Sequence, residues 1–212
     1  MGPGAALPTW ICETLLRGRG HAPVAGADEA GRGSLAGPVV AAAVILDERC
    51  VPKGIDDSKR LPAHTRAALA IRIRDTAIAW AVAAVEPEEI DRINILEATR
   101  KATCLALEAL TPRPAAVLLD ALRLPAWAGP QTVLVHGDRI SLSIAAASIL
   151  AKTHRDELMR LSAGDWPGYG FERHKGYGTP AHLDSLRRLG PCAVHRRTFR
   201  GVLPDPGLFG GT

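Results

Sequence analysis

Four acidic residues stand where apolar runs stop. Asp28 and Glu29 follow the run from residue 24, Asp120 follows residues 116–119, and Asp138 comes just after residues 132–135. Carboxylates delivered by three separate strands to one sheet edge suit hard divalent cations such as Mg2+ or Mn2+, which prefer carboxylate and water oxygens. Two such ions roughly 3.5–4 Å apart activate a water and stabilise the leaving oxygen in phosphodiester hydrolysis. Taken singly, each acid also reads as a solvated turn residue. Asp138, just before a long helical pattern, reads equally as a helix cap.

Three further groups carry chemistry of a weaker kind. Gly31-Arg32-Gly33 follows the first two acids directly. Its glycines let backbone approach a ligand and expose N–H groups to phosphate, although a plain hairpin turn explains them as well. Asp57-Ser58-Lys59 precedes a helix, where a lysine and a hydroxyl can hold a phosphate or an acid can cap the helix. Arg173-His174-Lys175-Gly176-Tyr177-Gly178 and His195-Arg196-Arg197, with Arg200, mix bases with an aromatic ring. That mixture suits a nucleic-acid backbone and a stacked base or sugar, and also suits a solvated loop.

The elements that must position these groups follow from periodicity and punctuation. Strands are expected over residues 24–28, 39–46, 78–85, 116–119 and 132–135, with the glycine-rich turn joining the first two as a hairpin. Helices are expected over 61–74, 87–110, 141–161 and 180–189, with Pro62 suited to a first turn. Three successive strands, then alternating helices and strands, predict a mixed α/β sheet flanked by helices. The acids then lie near strand ends, where open α/β sheets place their sites. Because neighbours on a regular strand point to opposite faces, Asp28 and Glu29 share a site only if regular pairing ends by about Glu29, with Gly31 supporting the change of direction.

Composition sets outer bounds. The 212 residues are 47% hydrophobic but only 4% aromatic, so Ala, Val, Leu and Ile must fill one core. With 26 Lys+Arg against 22 Asp+Glu, the formal charge of +4 permits a polyanionic partner without demanding one. Cys12, Cys50, Cys104 and Cys192 form no CxxC pair and have no His at zinc-finger spacing, so reduced thiols in a cytoplasmic protein are expected. Residues 1–20 lack a basic region followed by an apolar run, so no signal peptide is expected, and no apolar stretch is long enough for a membrane helix. Residues 1–20 and 203–212 are expected to be mobile tails around one domain over 21–202. The glycine spacing fits neither the dinucleotide fingerprint, since Gly37 comes one residue too late, nor a Walker loop.

Several ordered blocks resemble bacterial ribonuclease HII, the type 2 ribonucleases H. They are Gly26-Ala27-Asp28-Glu29-Ala30-Gly31-Arg32-Gly33 with Gly37-Pro38-Val39, Asp57-Ser58-Lys59-Arg60-Leu61, Asn94-Ile95-Leu96, Leu118-Leu119-Asp120 and Gly137-Asp138. The stretches 143–152, 155–156, 174–179 and 195–199 complete the pattern over about residues 23–200.

The resemblance implies a ribonuclease H-like, mixed five-stranded sheet with a C-terminal helical extension. It implies an endonuclease acting by two-metal-ion catalysis with Mg2+ or Mn2+. The substrates it implies are RNA/DNA hybrids and duplex DNA carrying single ribonucleotides, cut to leave 3′-OH and 5′-phosphate ends. By position, the catalytic and metal-binding set falls on Asp28, Glu29, Asp120 and Asp138. The motif that feels the ribose 2′-OH falls on Gly31, Arg32 and Gly33, the sugar-stacking tyrosine on Tyr177 and a phosphate-touching lysine on Lys59. Arg196 and Arg197 are expected to add phosphate contacts, and the protein is expected to act as a monomer. Ala121-Leu122 and His136 depart from residues some members carry beside the third and fourth acids. The alternatives are another nuclease of the same superfamily, such as a resolvase, and a non-catalytic nucleic-acid-binding protein.

Overall fold

The structure, a computed structural model, describes residues 7–203. Its centre is a five-stranded sheet in the order β3-β2-β1-β4-β5. The strands are β1 (Val24–Ala30), β2 (Val39–Ile45), β3 (Ala79–Val85), β4 (Ala116–Asp120) and β5 (Gln131–Leu134). The first three form an antiparallel meander, while β4 and β5 run parallel to β1. The helices are α1 (Ile11–Gly18), α2 (Ala63–Thr76), α3 (Pro87–Ile93), α4 (Ile95–Glu108), α5 (Leu142–Asp165), α6 (Phe171–His174) and α7 (Pro180–Leu189).

The low aromatic content has a structural counterpart in small-residue packing. One face of β1 and β2, including Val40, Ala42 and Val44, packs on Ala145, Ala146 and Ile149 of α5 and on Leu69 and Ile73 of α2. The other face, with Ala25, Ala27, Ala43 and Ile45, packs on Ala106 and Leu107 of α4. A Cβ on Gly26 would stand 2.2 Å from the Ser143 carbonyl carbon, so only glycine lets α5 lie this close to β1. All seven residues of β2 are buried, which is why that strand reads as a continuous apolar run.

Three expectations need correction. Residues 87–110 form two helices, because Asn94 breaks them. Its backbone takes the left-handed region at φ 68°, and its side-chain oxygen accepts the N–H groups of Leu96 and Glu97 to cap α4. Residues 7–20 are not a loose tail. Leu16 enters the core beside Val24, Leu118 and Ile144, and the buried Glu13 accepts hydrogen bonds from Ser141 Oγ (2.6 Å) and the Ser143 N–H (2.9 Å). A carboxylate at the N-terminus of the 24-residue α5 answers both its free N–H groups and its dipole. Residues 1–6 and 204–212, where the rest of the expected tails fall, lie outside the described residues.

The third correction concerns the first strand. Pairing with β2 stays regular through Ala30↔Val40, so β1 does not end at Glu29. What stops is its other side: the β4 register ends at Ala27↔Leu119. Among the described residues no helix is long and apolar enough to cross a membrane.

Candidate active site

Three carboxylates, two from strands of the sheet and one from the turn after β5, meet where β4 stops beside β1. Asp28 lies on the α5 side of β1, Asp120 ends β4, and Asp138 sits in a 3-10 turn (Gly137–Arg139) between β5 and α5. Each offers an oxygen within 4.8 Å of the others. Asp28 and Asp138 are buried. The turn is tied to the cluster, because the Gly137 N–H donates to Asp120 Oδ1 at 2.8 Å. Ser141 caps α5 by accepting the Ile144 N–H, which leaves the Asp138 carboxylate free for the cluster.

The electrostatics are those of acids held together against their own repulsion. Burial, then the charges of Glu29 and Asp120, push Asp28 well above the usual carboxylate range. Burial, then Asp57 and Asp120, raise Asp138, with Lys59 opposing. Lys59 Nζ is 3.8 Å from Asp138 Oδ2. Partial burial pulls Lys59 down, but Asp138, Asp28 and Asp57 outweigh it and leave it raised. A cation among these oxygens relieves both the desolvation and the repulsion, so the donor set fits a hard divalent ion.

Glu29 stands apart from the three-acid cluster. Its carboxylate pairs with Arg32 at 3.2 Å, and burial raises it while Arg32 draws it down. It still lines the cleft that holds Asp28, Gly31, Arg32, Lys59 and Tyr177. With no β4 neighbour beyond Ala27, its side chain reaches the cleft from a regular strand. Neither Asp57 nor Ser58 caps α2, whose N-cap is Pro62. Asp57 instead accepts from Lys59 N–H and Arg139, and Ser58 Oγ accepts from Ser148 Oγ at 2.7 Å.

Sequence reasoning passed over Ser148 and Lys152, which form the α5 wall of the same cleft. Both fall one turn apart on the helix after Asp138, a spacing that puts them on one face. Lys152 Nζ lies 5.6 Å from the centre of the Tyr177 ring and pairs with Asp156 at 2.6 Å. Tyr177 is 37% exposed, so its ring offers a face to the cleft.

Arg196 is corrected outright. It is fully buried and donates to the carbonyls of Gly37 and Arg32, each at 2.9 Å. A guanidinium spent on backbone carbonyls inside the protein does not meet a phosphate. Arg197 is exposed, and its backbone N–H donates to Asp91. The two departures from the family pattern both fall beside the acids in left-handed backbone, Ala121 at φ 47° and His136 at φ 58°.

Similarity to known proteins agrees with this geometry. The family profile of Ribonuclease HII matches residues 25–202. The chain belongs to the ribonuclease HII family. A Ribonuclease HII of Anaeromyxobacter sp. (strain Fw109-5) is 55% identical over 185 residues, covering 87% of this chain and 59% of that relative. One from Moorella thermoacetica is 52% identical over 195 residues, covering 92% of this chain and 94% of the relative. The crystal structure of the ribonuclease H2 from Pyrococcus horikoshii OT3 superposes with a TM-score of 0.72 at 25% identity, over 84% of this chain and 94% of that one. As a ribonuclease HII family member the chain is a hydrolase of ribonuclease H type. The mixed sheet and its flanking helices are the ribonuclease H-like fold expected above.

Proposed function

We propose that this protein is an endoribonuclease that cuts the RNA strand of RNA/DNA hybrids and duplex DNA at single embedded ribonucleotides. The observation that carries the reading is the meeting of Asp28, Asp120 and Asp138 within 4.8 Å, at the end of a cleft lined by Gly31, Arg32, Gly33 and Tyr177. Asp28, Asp120 and Asp138 would hold divalent cations, Mg2+ or Mn2+, with Glu29 joining through the open side of β1. Two such ions, when bound, supply an activated water and charge neutralisation at the leaving oxygen.

The chain's own residues do the rest. Gly31 and Gly33 let backbone approach the scissile sugar, whose 2′-OH both donates and accepts a hydrogen bond. Arg32, held by Glu29, orients that turn. Tyr177 places its ring against the next sugar, where an apolar face tolerates deoxyribose better than a hydrated hydroxyl. Lys59 and Lys152, exposed or half-buried beside the acids, draw the phosphates in, and the exposed Arg197 adds positive charge. Residues 21–202 form the catalytic unit in this reading, with α1 bracing the loop that carries Asp138.

The test is cleavage of a DNA duplex carrying one ribonucleotide, with Mg2+, Mn2+ or chelator, and mapping of the cut. The expected cut is on the 5′ side of the ribonucleotide, leaving 3′-OH and 5′-phosphate, and absent in chelator. Tyr177→Ala should slow cutting at an RNA–DNA junction more than cutting inside a uniform hybrid. Equal slowing on both substrates returns Tyr177 to a general packing role. Cleavage in chelator sinks the metal assignment.

A further inference from the structure

The buried middle of α5 carries a cation that the cleavage chemistry does not use. Arg155 is 0% exposed. Its guanidinium donates Nε to Pro38 O, Nη2 to Ala36 O and Nη1 to Lys175 O, each at 3.0 Å. A buried charge is costly unless every donor is met, so a three-way fork onto carbonyls from two separate loops is a built arrangement.

Both loops are those that face the sugars. Gly31 lies directly on the guanidinium: at φ +93°, a Cβ there would stand 1.9 Å from Arg155 Nε. On the other side, Arg155 Cζ is 5.4 Å from the centre of the Tyr177 ring. The loops also touch each other, since Gly176 O accepts the N–H groups of Leu35 (2.8 Å) and Ala36 (3.3 Å). Arg196 completes the frame from the C-terminal side through Gly37 O and Arg32 O.

We propose that Arg155 is a positioning residue that fixes the distance between the Gly31–Gly33 turn and the face of Tyr177, and thereby sets the preference for a ribose followed by a deoxyribose. This rests on the sugar-reading roles given above. The guanidinium is planar, and its three bonds run to three carbonyls in one rigid fork. An ammonium is a point charge on a flexible stem and cannot hold both loops in that plane. Loosening the frame by a fraction of an ångström leaves the acids in place but moves the two sugar contacts relative to each other.

The experiment compares cleavage rates on matched junction and uniform-hybrid substrates for wild type, Tyr177→Ala, Arg155→Lys and Arg155→Gln. Thermal melts with and without Mn2+ check that each variant folds and still gains stability from the ion. Arg155→Lys and Arg155→Gln are expected to lower the junction-to-hybrid rate ratio by about tenfold, the scale of a sub-ångström misplacement. Combining Arg155→Lys with Tyr177→Ala should add little to the ratio change of Tyr177→Ala alone. A residue that only supports folding would slow both substrates equally, and an unchanged ratio overturns the proposal. Failure of every Arg155 variant to fold also overturns it, because the residue then serves the whole fold rather than this spacing. If Tyr177→Ala lowers the ratio while the folded Arg155 variants do not, only the positioning role falls. If Tyr177→Ala leaves the ratio unchanged, the sugar-reading assignment falls with it.

Discussion

Asp120 Oδ1 accepts the Gly137 N–H at 2.8 Å, so the acid at the end of β4 holds the backbone that presents Asp138. Two carboxylates from different elements are thus set as one unit. Asp120→Asn keeps an acceptor for this bond and Asp120→Ala does not. Both should lose cleavage, but only the alanine variant should lose stability, by about 1–3 kcal/mol for the buried N–H left unpaired. Equal melting temperatures for the two variants would show that the turn does not depend on Asp120.

Desolvation by burial, then the charges of Glu29 and Asp120, raise the Asp28 carboxyl. Its folded pKa lies above its unfolded value, so at neutral pH its ionisation costs stability, and the cost appears as pH rises through the unfolded value. Asp28→Asn should therefore melt higher than wild type in chelator. Saturating Mg2+ or Mn2+ should reverse the order. Ion at 100 times its dissociation constant stabilises wild type by about 2.7 kcal/mol. A wild-type melting temperature indifferent to both ions removes the metal site.

Arg196 and Arg197 are neighbours with opposite fates. Arg196→Ala strands the carbonyls of Gly37 and Arg32 and should cost about 1–3 kcal/mol of stability. Arg197→Ala should change stability by less than about 0.5 kcal/mol, as surface changes do. If Arg197 meets a phosphate, its loss reduces the salt slope of duplex binding by about one unit. Melts and a salt titration of binding for each variant separate the two. A soluble, fully stable Arg196→Ala would contradict the buried fork.

Behind Tyr177 runs a buried chain of hydrogen bonds that needs neutral imidazoles. His182 Nδ1 donates to Tyr177 O at 2.9 Å, which leaves its Nε2 to accept from His195 Nε2 at 3.0 Å. His195 Nδ1 then accepts the Cys192 N–H at 3.0 Å, with the thiol sulfur at 3.1 Å. His174 stacks on His182 at 4.3 Å, and Tyr169 and Phe171 close the other sides. Burial lowers His182; burial, then His182, lower His195 to about 4. Folded values below the unfolded value mean stability is full above about pH 6.5 and is lost as pH falls toward about 4. Melting temperature should drop across that window, and His195→Gln should flatten the drop. The Asp28→Asn background is the right one, because the raised Asp28 acts with the opposite sign. An equally steep drop in His195→Gln assigns the acid sensitivity elsewhere.

Much of this was legible along the chain, because it depends on neighbours in sequence. The apolar runs of β1, β2 and β4, the start of α7 at Pro180, and the acids at run ends are all local patterns. The break at Asn94 was local too, but an asparagine inside a periodic stretch reads as helix until its backbone is seen to turn left-handed. Other features depended on separations no window spans. Glu13 meets Ser143 across 130 positions, and Arg196 meets Arg32 across 164. A basic residue in a basic run looks like surface, and only the carbonyls of residues 32–38, together with that of Lys175, folding over them give the buried guanidinium groups of Arg155 and Arg196 their acceptors. Residue types and their local spacing determined which groups could bind cations and approach a sugar. The parallel placing of β4 beside β1, and its stopping at Asp120, decided that Asp28, Asp120 and Asp138 share one point while Glu29 turns to Arg32. Which oxygens converge depends on strand order and register, and those are settled by long-range packing rather than by any residue's neighbours.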